Sequence, residues 1–173
     1  MNIQHVILGF LTEKPMSGYD IKQLMENSVA YFFDASYGAI YPALKRMEKE
    51  GFIEKEIIQQ EGKPNKNLYV ITSQGKEEFL NYMKSPLNST LIRSDLLIRI
   101  FFGRYTSTEN INTWLKLEMQ KAKDQLENLS KINEIYPTME PFKKMTLLYG
   151  IENAKFTLDW TEKQLNQINK GDE

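Results

Sequence analysis

The stretch Ser36-Tyr37-Gly38-Ala39-Ile40-Tyr41-Pro42-Ala43-Leu44-Lys45-Arg46-Met47-Glu48-Lys49-Glu50-Gly51 decides how the rest of the chain is read. Ile40, Leu44 and Met47 recur at the spacing that places them on one face of a helix, and that face belongs to a core. Gly38, Tyr41, Pro42, Lys45 and Lys49 fall on the opposite side. Small residues at its start let a partner's backbone come close, and cations follow further along, an arrangement suited to a phosphate backbone. The alternative is an ordinary amphipathic helix with a solvated basic face. Gly51 stands where a helix C-terminus favours a left-handed residue, and Phe52-Ile53 opens a strand-like run. Pro42 breaks a local rule, since proline inside a helix costs about 3 kcal/mol. Either the regular helix starts near Tyr41 or its first turn is distorted, and such breaches tend to fall at functional sites.

Working outward, Asn2 to Leu11 is apolar at Ile3, Val6, Ile7, Phe10 and Leu11, a helical pattern packed on much of its surface. A turn at Glu13-Lys14-Pro15-Met16 follows. Ser17 with Asp20 three residues on resembles a capping box, and Ile21, Leu24 and Met25 carry a second helix to about Val29. Tyr31 to Ala35, with Phe32-Phe33, links it to the presented helix and plugs the core beneath. Beyond Gly51, Phe52 to Ile58 and Leu68 to Thr72 read as strands, and Gln59 to Asn67 as the turn of a hairpin with a basic tip. Thr72 or Ser73 caps a fourth helix to about Lys84, with Phe79, Tyr82 and Met83 on one face. Three helices, a two-stranded wing and another helix make a winged helix-turn-helix, whose third helix enters the major groove. The wing tip, Lys63 to Lys66, then meets the backbone or the adjacent minor groove. A solvated lysine loop is the plainer reading of these residues, but both lysines flank the surface that carries Tyr41 and Lys45.

Ser85 to Ser89 reads as a linker, dividing the chain into a winged-helix domain over residues 1–84 and a helical domain over 90–170. Asp95 to Phe102 is a short apolar helix closed by Gly103, and Thr106 with Glu109 makes a further capping box. The next helix continues to Tyr136, with Leu115, Met119, Ala122, Leu126, Leu129, Asn133 and Tyr136 in alternating steps of four and three. After Pro137 and Pro141 a last helix spans about Phe142 to Asn169. Its seam is Leu147, Ile151, Ala154, Leu158, Thr161, Leu165 and Ile168, while Tyr149, Phe156 and Trp160 lie off it. So much seam predicts a homodimer built by the second half, with Leu115, Met119, Leu126, Leu129, Leu147, Ile151, Leu158 and Leu165 at the interface. Pairing of the two seams as an intramolecular hairpin is the alternative, and the two are compatible.

Composition bounds the function. With 173 residues, 41% apolar and 26% charged, the chain supports one good core or two small domains, and no apolar run is long enough to span a membrane. Met1 to Leu11 lacks a basic leader and a small-residue cleavage site, so the cytoplasm is the expected compartment. Absence of cysteine excludes disulfides, thiolate catalysis and cysteine-ligated metals, and the single His5 cannot make a histidine-rich site. No catalytic constellation, phosphate loop or cofactor motif is present, so no enzyme is expected. Net charge is −1, and neither half is net basic. A nucleic-acid reading therefore rests on local placement of cations and predicts strong salt sensitivity. A winged-helix module that meets another protein remains the rival.

Ile7-Leu8-Gly9-Phe10-Leu11, Ser17-Gly18-Tyr19-Asp20-Ile21, Tyr37 to Glu48 through Gly51-Phe52-Ile53, and Lys63 to Thr72 together resemble the PadR family of transcriptional regulators. The specific motifs cover about half the chain. The second half resembles the longer members in length and helices, with Phe101-Phe102-Gly103 as a local match. The resemblance implies a dimeric regulator, usually a repressor, that binds a palindromic operator and is released by a small aromatic or amphipathic ligand. It implies that Tyr37, Gly38, Ala39, Tyr41, Pro42 and Lys45 lie on the recognition helix and that Lys63 and Lys66 lie on the wing. Lys63, Asn65 and Lys66 stand where some members carry arginine, so bidentate arginine contacts are not expected. Trp114 and Trp160 read first as core or interface anchors. With Phe101, Phe102 and Phe156 they could instead line an apolar effector pocket.

Overall fold

The computed structural model describes residues 2–33, 37–59, 66–89 and 93–171. The chain divides into two compact units, Met1–Thr90 and Leu91–Glu173.

In the first unit, helix α1 (Ile3–Glu13) starts at Asn2, whose side chain accepts from the His5 amide. Helix α2 (Gly18–Ser28) starts with a complete capping box. Ser17 Oγ accepts from the Asp20 amide, and the Asp20 carboxylate accepts from the Ser17 amide, so two otherwise orphaned donors are satisfied. A 3-10 turn at Tyr37–Ala39 leads into α3 (Ile40–Lys49). Pro42 is therefore the third residue of α3, where its missing N–H would have had no helical partner. Of the two outcomes open from the sequence, the regular helix begins at Ile40 and the proline breaks nothing. Gly51 ends the helix with φ of 79°, the left-handed conformation that glycine adopts without a Cβ penalty.

Strands β1 (Ile53–Ile58) and β2 (Lys66–Ile71) pair antiparallel, with Ile53 opposite Ile71 and Ile58 opposite Lys66. Thr72 caps α4 (Ser73–Lys84): its Oγ accepts from the Gly75 amide at 3.0 Å and donates to the Gly51 carbonyl at 2.7 Å, tying the helix to the base of the wing. Ile7, Leu8, Leu11, Met16, Ile21, Met25, Ile40, Ala43, Leu44, Met47 and Ile53 form one dry core. Phe33 and Phe79 pack against it, whereas Phe32, expected to plug the core, is exposed, as is Met83. Phe32 turns its ring edge onto Tyr31 instead, and Met83 sits near the end of α4. His5 is a packed residue, stacked on Tyr82 of α4 at 4.1 Å with Glu78 3.6 Å from its Nε2.

The second unit is helical. Helix α5 (Asp95–Phe101) is followed by a 3-10 turn at Gly103–Tyr105, then α6 (Thr108–Ile135) and α7 (Pro141–Gly171). The cap of α6 is Ser107, whose Oγ accepts from the Asn110 amide, and not Thr106. Thr106 lies one residue too early for that bond, and its hydroxyl accepts from the Asn110 side chain instead. Pro141 opens α7, where proline is favoured, and the Glu140 carboxylate accepts from the Phe142 and Lys143 amides. Those two bonds hold the Glu140 carboxyl below the usual carboxylate range.

Helices α6 and α7 pair with each other along the predicted seams. Leu115, Ala122, Leu129, Leu147, Ile151, Ala154, Thr161 and Leu165 are buried within the single chain, with Met119, Leu126 and Leu158 half-buried. Tyr136 lies past the end of α6 and is exposed. The dimerisation residues expected from the seams are thus spent largely within one chain. On its outer side α7 shows Phe142, Met145, Tyr149 and Phe156, all exposed.

Candidate nucleic-acid interface

Helix α3 is held on one side only. Ile40, Ala43, Leu44 and Met47 are buried, so Tyr41, Lys45 and Lys49, one turn apart, run along the exposed side with Pro42 and Arg46 beside them. Gly38 is exposed in the turn before the helix, and Ala39 is half-buried. Tyr37 belongs to the same turn. Arg46 was not singled out in the sequence, although its position one turn after Pro42 places it on this face.

Charge on this helix is sorted. The acids in it and just after it are drawn aside: Glu48 pairs with Lys55 of β1 at 3.7 Å, and Glu50, which follows the last helical residue, accepts from the Gln4 side chain at 3.2 Å. Lys45, Arg46 and Lys49 form no ion pair among the described residues. A chain of net charge −1 thereby presents a local cationic strip, which is what phosphate binding requires.

The first turn of α3 meets the start of α2. A Cβ on Gly18 would lie 2.7 Å from Tyr41 Cε1, so the missing side chain of Gly18 is what lets the Tyr41 ring settle there. The wing joins the same corner. Met16 and Tyr69 exchange backbone hydrogen bonds of 3.2 and 2.8 Å, and Lys66 Nζ lies 2.9 Å from the Asp20 carboxylate. Lys66 and the Ser17 hydroxyl hold the Asp20 carboxyl below the usual carboxylate range. Burial, with Glu48 and Tyr41 nearby, pushes the Tyr69 phenol up, so it stays neutral. Lys66 was expected as a free wing cation and is instead ion-paired. Lys63 and Asn65 lie outside the described residues. The partner role of Asp20 was missed, because its capping-box position accounts fully for an acid there.

In the second unit, of the five aromatic residues grouped from the sequence, Phe101 and Phe102 meet edge to face at 5.0 Å. Trp114 lines a cleft of about 500 Å³ with Arg93, Ser94, Asp95, Leu96, Arg99, Leu117, Glu118 and Lys121. The Arg99 guanidinium lies 5.2 Å from the Trp114 ring centroid and donates to Asp95 at 2.7 Å. Phe101, Phe102 and Phe156 are exposed, Trp160 is half-buried, and none of the four borders this cleft.

A helix held by its dry face, preceded by a capped helix and flanked by a two-stranded wing, defines a winged helix-turn-helix of the kind found in DNA-binding regulators. Residues 7–81 match the transcriptional regulator PadR-like family and residues 92–169 the virulence activator alpha C-terminal family. The crystal structure of a PadR-like transcriptional regulator from Bacillus cereus is 33% identical and superposes with a TM-score of 0.87, covering 97% of this chain and 98% of that one. This protein belongs to the PadR-like family of transcriptional regulators. The negative transcriptional regulator PadR of Bacillus subtilis is 26% identical over 97% of this chain and 98% of its own. Its crystal structure in complex with operator DNA superposes with a TM-score of 0.82 at 25% identity, over 96% of this chain and 98% of that chain. No described helix is long and apolar enough to cross a membrane.

Proposed function

We propose that this protein is a cytoplasmic, homodimeric repressor that binds a palindromic operator and leaves it when a small aromatic or amphipathic ligand binds. Residues 1–84 are the DNA-binding domain, and residues 90–170 dimerise and take the effector. Tyr37, Gly38, Ala39, Tyr41, Pro42, Lys45 and Lys49 address the major groove, and the wing with Lys63, Asn65 and Lys66 addresses the backbone or minor groove. The observation that carries this reading is the sorting of charge on α3, with acids paired away from the exposed face and Lys45, Arg46 and Lys49 left on it. The operator complex of the Bacillus subtilis relative supports DNA over a protein as the partner of that face. The reaction is binding and release, with no catalytic step.

Dimerisation is best served by the outer face of α7. Phe142, Tyr149 and Phe156 recur every seven residues and are exposed, and apolar stripes of this kind mark interaction sites. The Trp114–Arg99 cleft supports an effector that is flat and anionic, stacking on the indole and pairing with the guanidinium. A ligand shifts operator affinity only by its differential affinity for the two states of the dimer.

The test is a fluorescence-anisotropy titration against a duplex from the protein's own upstream region, with a scrambled duplex as control, at two salt concentrations. Tight, salt-sensitive preference for the upstream duplex is expected, and it supplies the assay for ligands that release it. Equal, weak binding to both duplexes, followed by failure to select any sequence from a random library, would overturn the reading.

A further inference from the structure

The start of α2 touches both DNA-facing elements of the first unit. Gly18 receives the Tyr41 ring of α3, Met16 bonds to Tyr69 of the wing, and Asp20 holds Lys66 at the first residue of β2. Asp20 is satisfied as a helix cap by Ser17 alone, through the amide at 3.1 Å and the hydroxyl at 2.7 Å. Its contact with Lys66 at 2.9 Å is therefore additional to capping. An acid beside a phosphate-binding surface also carries a cost, because it repels DNA. Its presence there calls for a role that outweighs that repulsion.

We infer that Asp20 is a positioning residue that sets operator specificity: it holds Lys66, and with it the base of the wing, in place and keeps that ammonium from gripping phosphates indiscriminately. This rests on the DNA-binding reading above. Electrostatic affinity for phosphate is sequence-independent, so each cation released to it strengthens non-specific binding, with a further unit or so of salt dependence. A wing fixed relative to α3 favours only those duplexes whose shape matches both elements at once. The Asp20–Lys66 pair therefore lowers affinity for arbitrary DNA while preserving affinity for the operator. The pair is only half-buried, so a well-placed operator phosphate can still share Lys66.

The experiment measures binding of the full chain to its selected operator and to a scrambled duplex across a salt series. Asp20→Asn keeps an acceptor for the Ser17 amide but discharges the ion pair. It should bind scrambled DNA more tightly, steepen the salt slope there by about one, and lower the operator preference by about threefold to tenfold. Lys66→Gln should weaken operator binding without strengthening scrambled binding, and Asp20→Glu should restore the native ratio. If Asp20 acts only as a cap, Asp20→Asn lowers the melting temperature, Lys66→Gln leaves the ratio untouched, and the inference fails. Should Asp20→Asn not fold, Lys66→Gln decides alone, since it leaves the capping box intact. Native protein without preference for any selected duplex removes the DNA reading and this inference together. Native preference with an unchanged ratio in both variants removes this inference only.

Discussion

In the first unit, eleven hydrophobic side chains drawn from three helices, β1 and the turn before α2 close around one another. In the second, the buried residues of α6 and α7 run in a single seam between two helices, while Phe142, Met145, Tyr149 and Phe156 remain exposed on the outer face. A unit that closes its own core is free to give its surface to a polar partner. A two-helix hairpin with a second apolar face is incomplete until another helix covers it. The proposed division of labour between binding DNA and assembling a dimer rests on that difference in burial.

The comparison can be broken most directly in the core. Leu44→Ala, at a fully buried site, should lower stability by about 2–5 kcal/mol in denaturant titrations. The same change at exposed Leu148 should cost under about 1 kcal/mol. Next in size is the outer face of α7. Phe142→Glu with Phe156→Glu should weaken dimerisation by upwards of about 2 kcal/mol, seen in sedimentation as monomer at concentrations where the native chain is dimeric. Helical circular dichroism should be unchanged, and an intact dimer would show that this face is not the interface.

Lys45→Ala should reduce affinity for all duplexes by roughly 1 kcal/mol and flatten the salt slope by about one, without altering the melting temperature. The smallest effect concerns pH. Lys66 and Ser17 depress the folded-state pKa of Asp20. Its stabilisation is therefore present above the unfolded value, near about 4, and is lost as pH falls through the folded value. The gap in stability between native protein and Asp20→Asn, a few tenths of a kcal/mol for so exposed a pair, should narrow below about pH 4.

The first unit was largely legible because its signals are local. The period of Ile40, Leu44 and Met47, the Ser17–Asp20 box, Gly51 and Thr72 each act within one or two turns of chain, and each stands where the pattern placed it. The 4,3 spacing along α6 and α7 was legible as a seam but not as to its partner. Intramolecular and intermolecular pairing require the same residues, and only the packing of Leu115, Leu129, Leu147 and Leu165 within the chain separates them. The Asp20–Lys66 pair was hidden for a similar reason. Forty-six positions of sequence separate its members, and Asp20 already had a sufficient local explanation in its cap.

Pro42 has one more consequence. A helix start can ordinarily slip by a residue, and each residue of slip turns every later side chain by about 100°. Pro42 fits α3 only within the first turn, because further inside its ring would collide with the carbonyl four residues back. Helix α3 therefore cannot grow by a turn toward Tyr37, and at its other end Gly51 stops it from running on. Between these two stops the helix behaves as a ruler with a fixed zero. One residue inserted between Ala39 and Ile40 would keep Ile40, Leu44 and Met47 in register yet rotate the preceding turn out of phase with Lys45, garbling the message without weakening the grip.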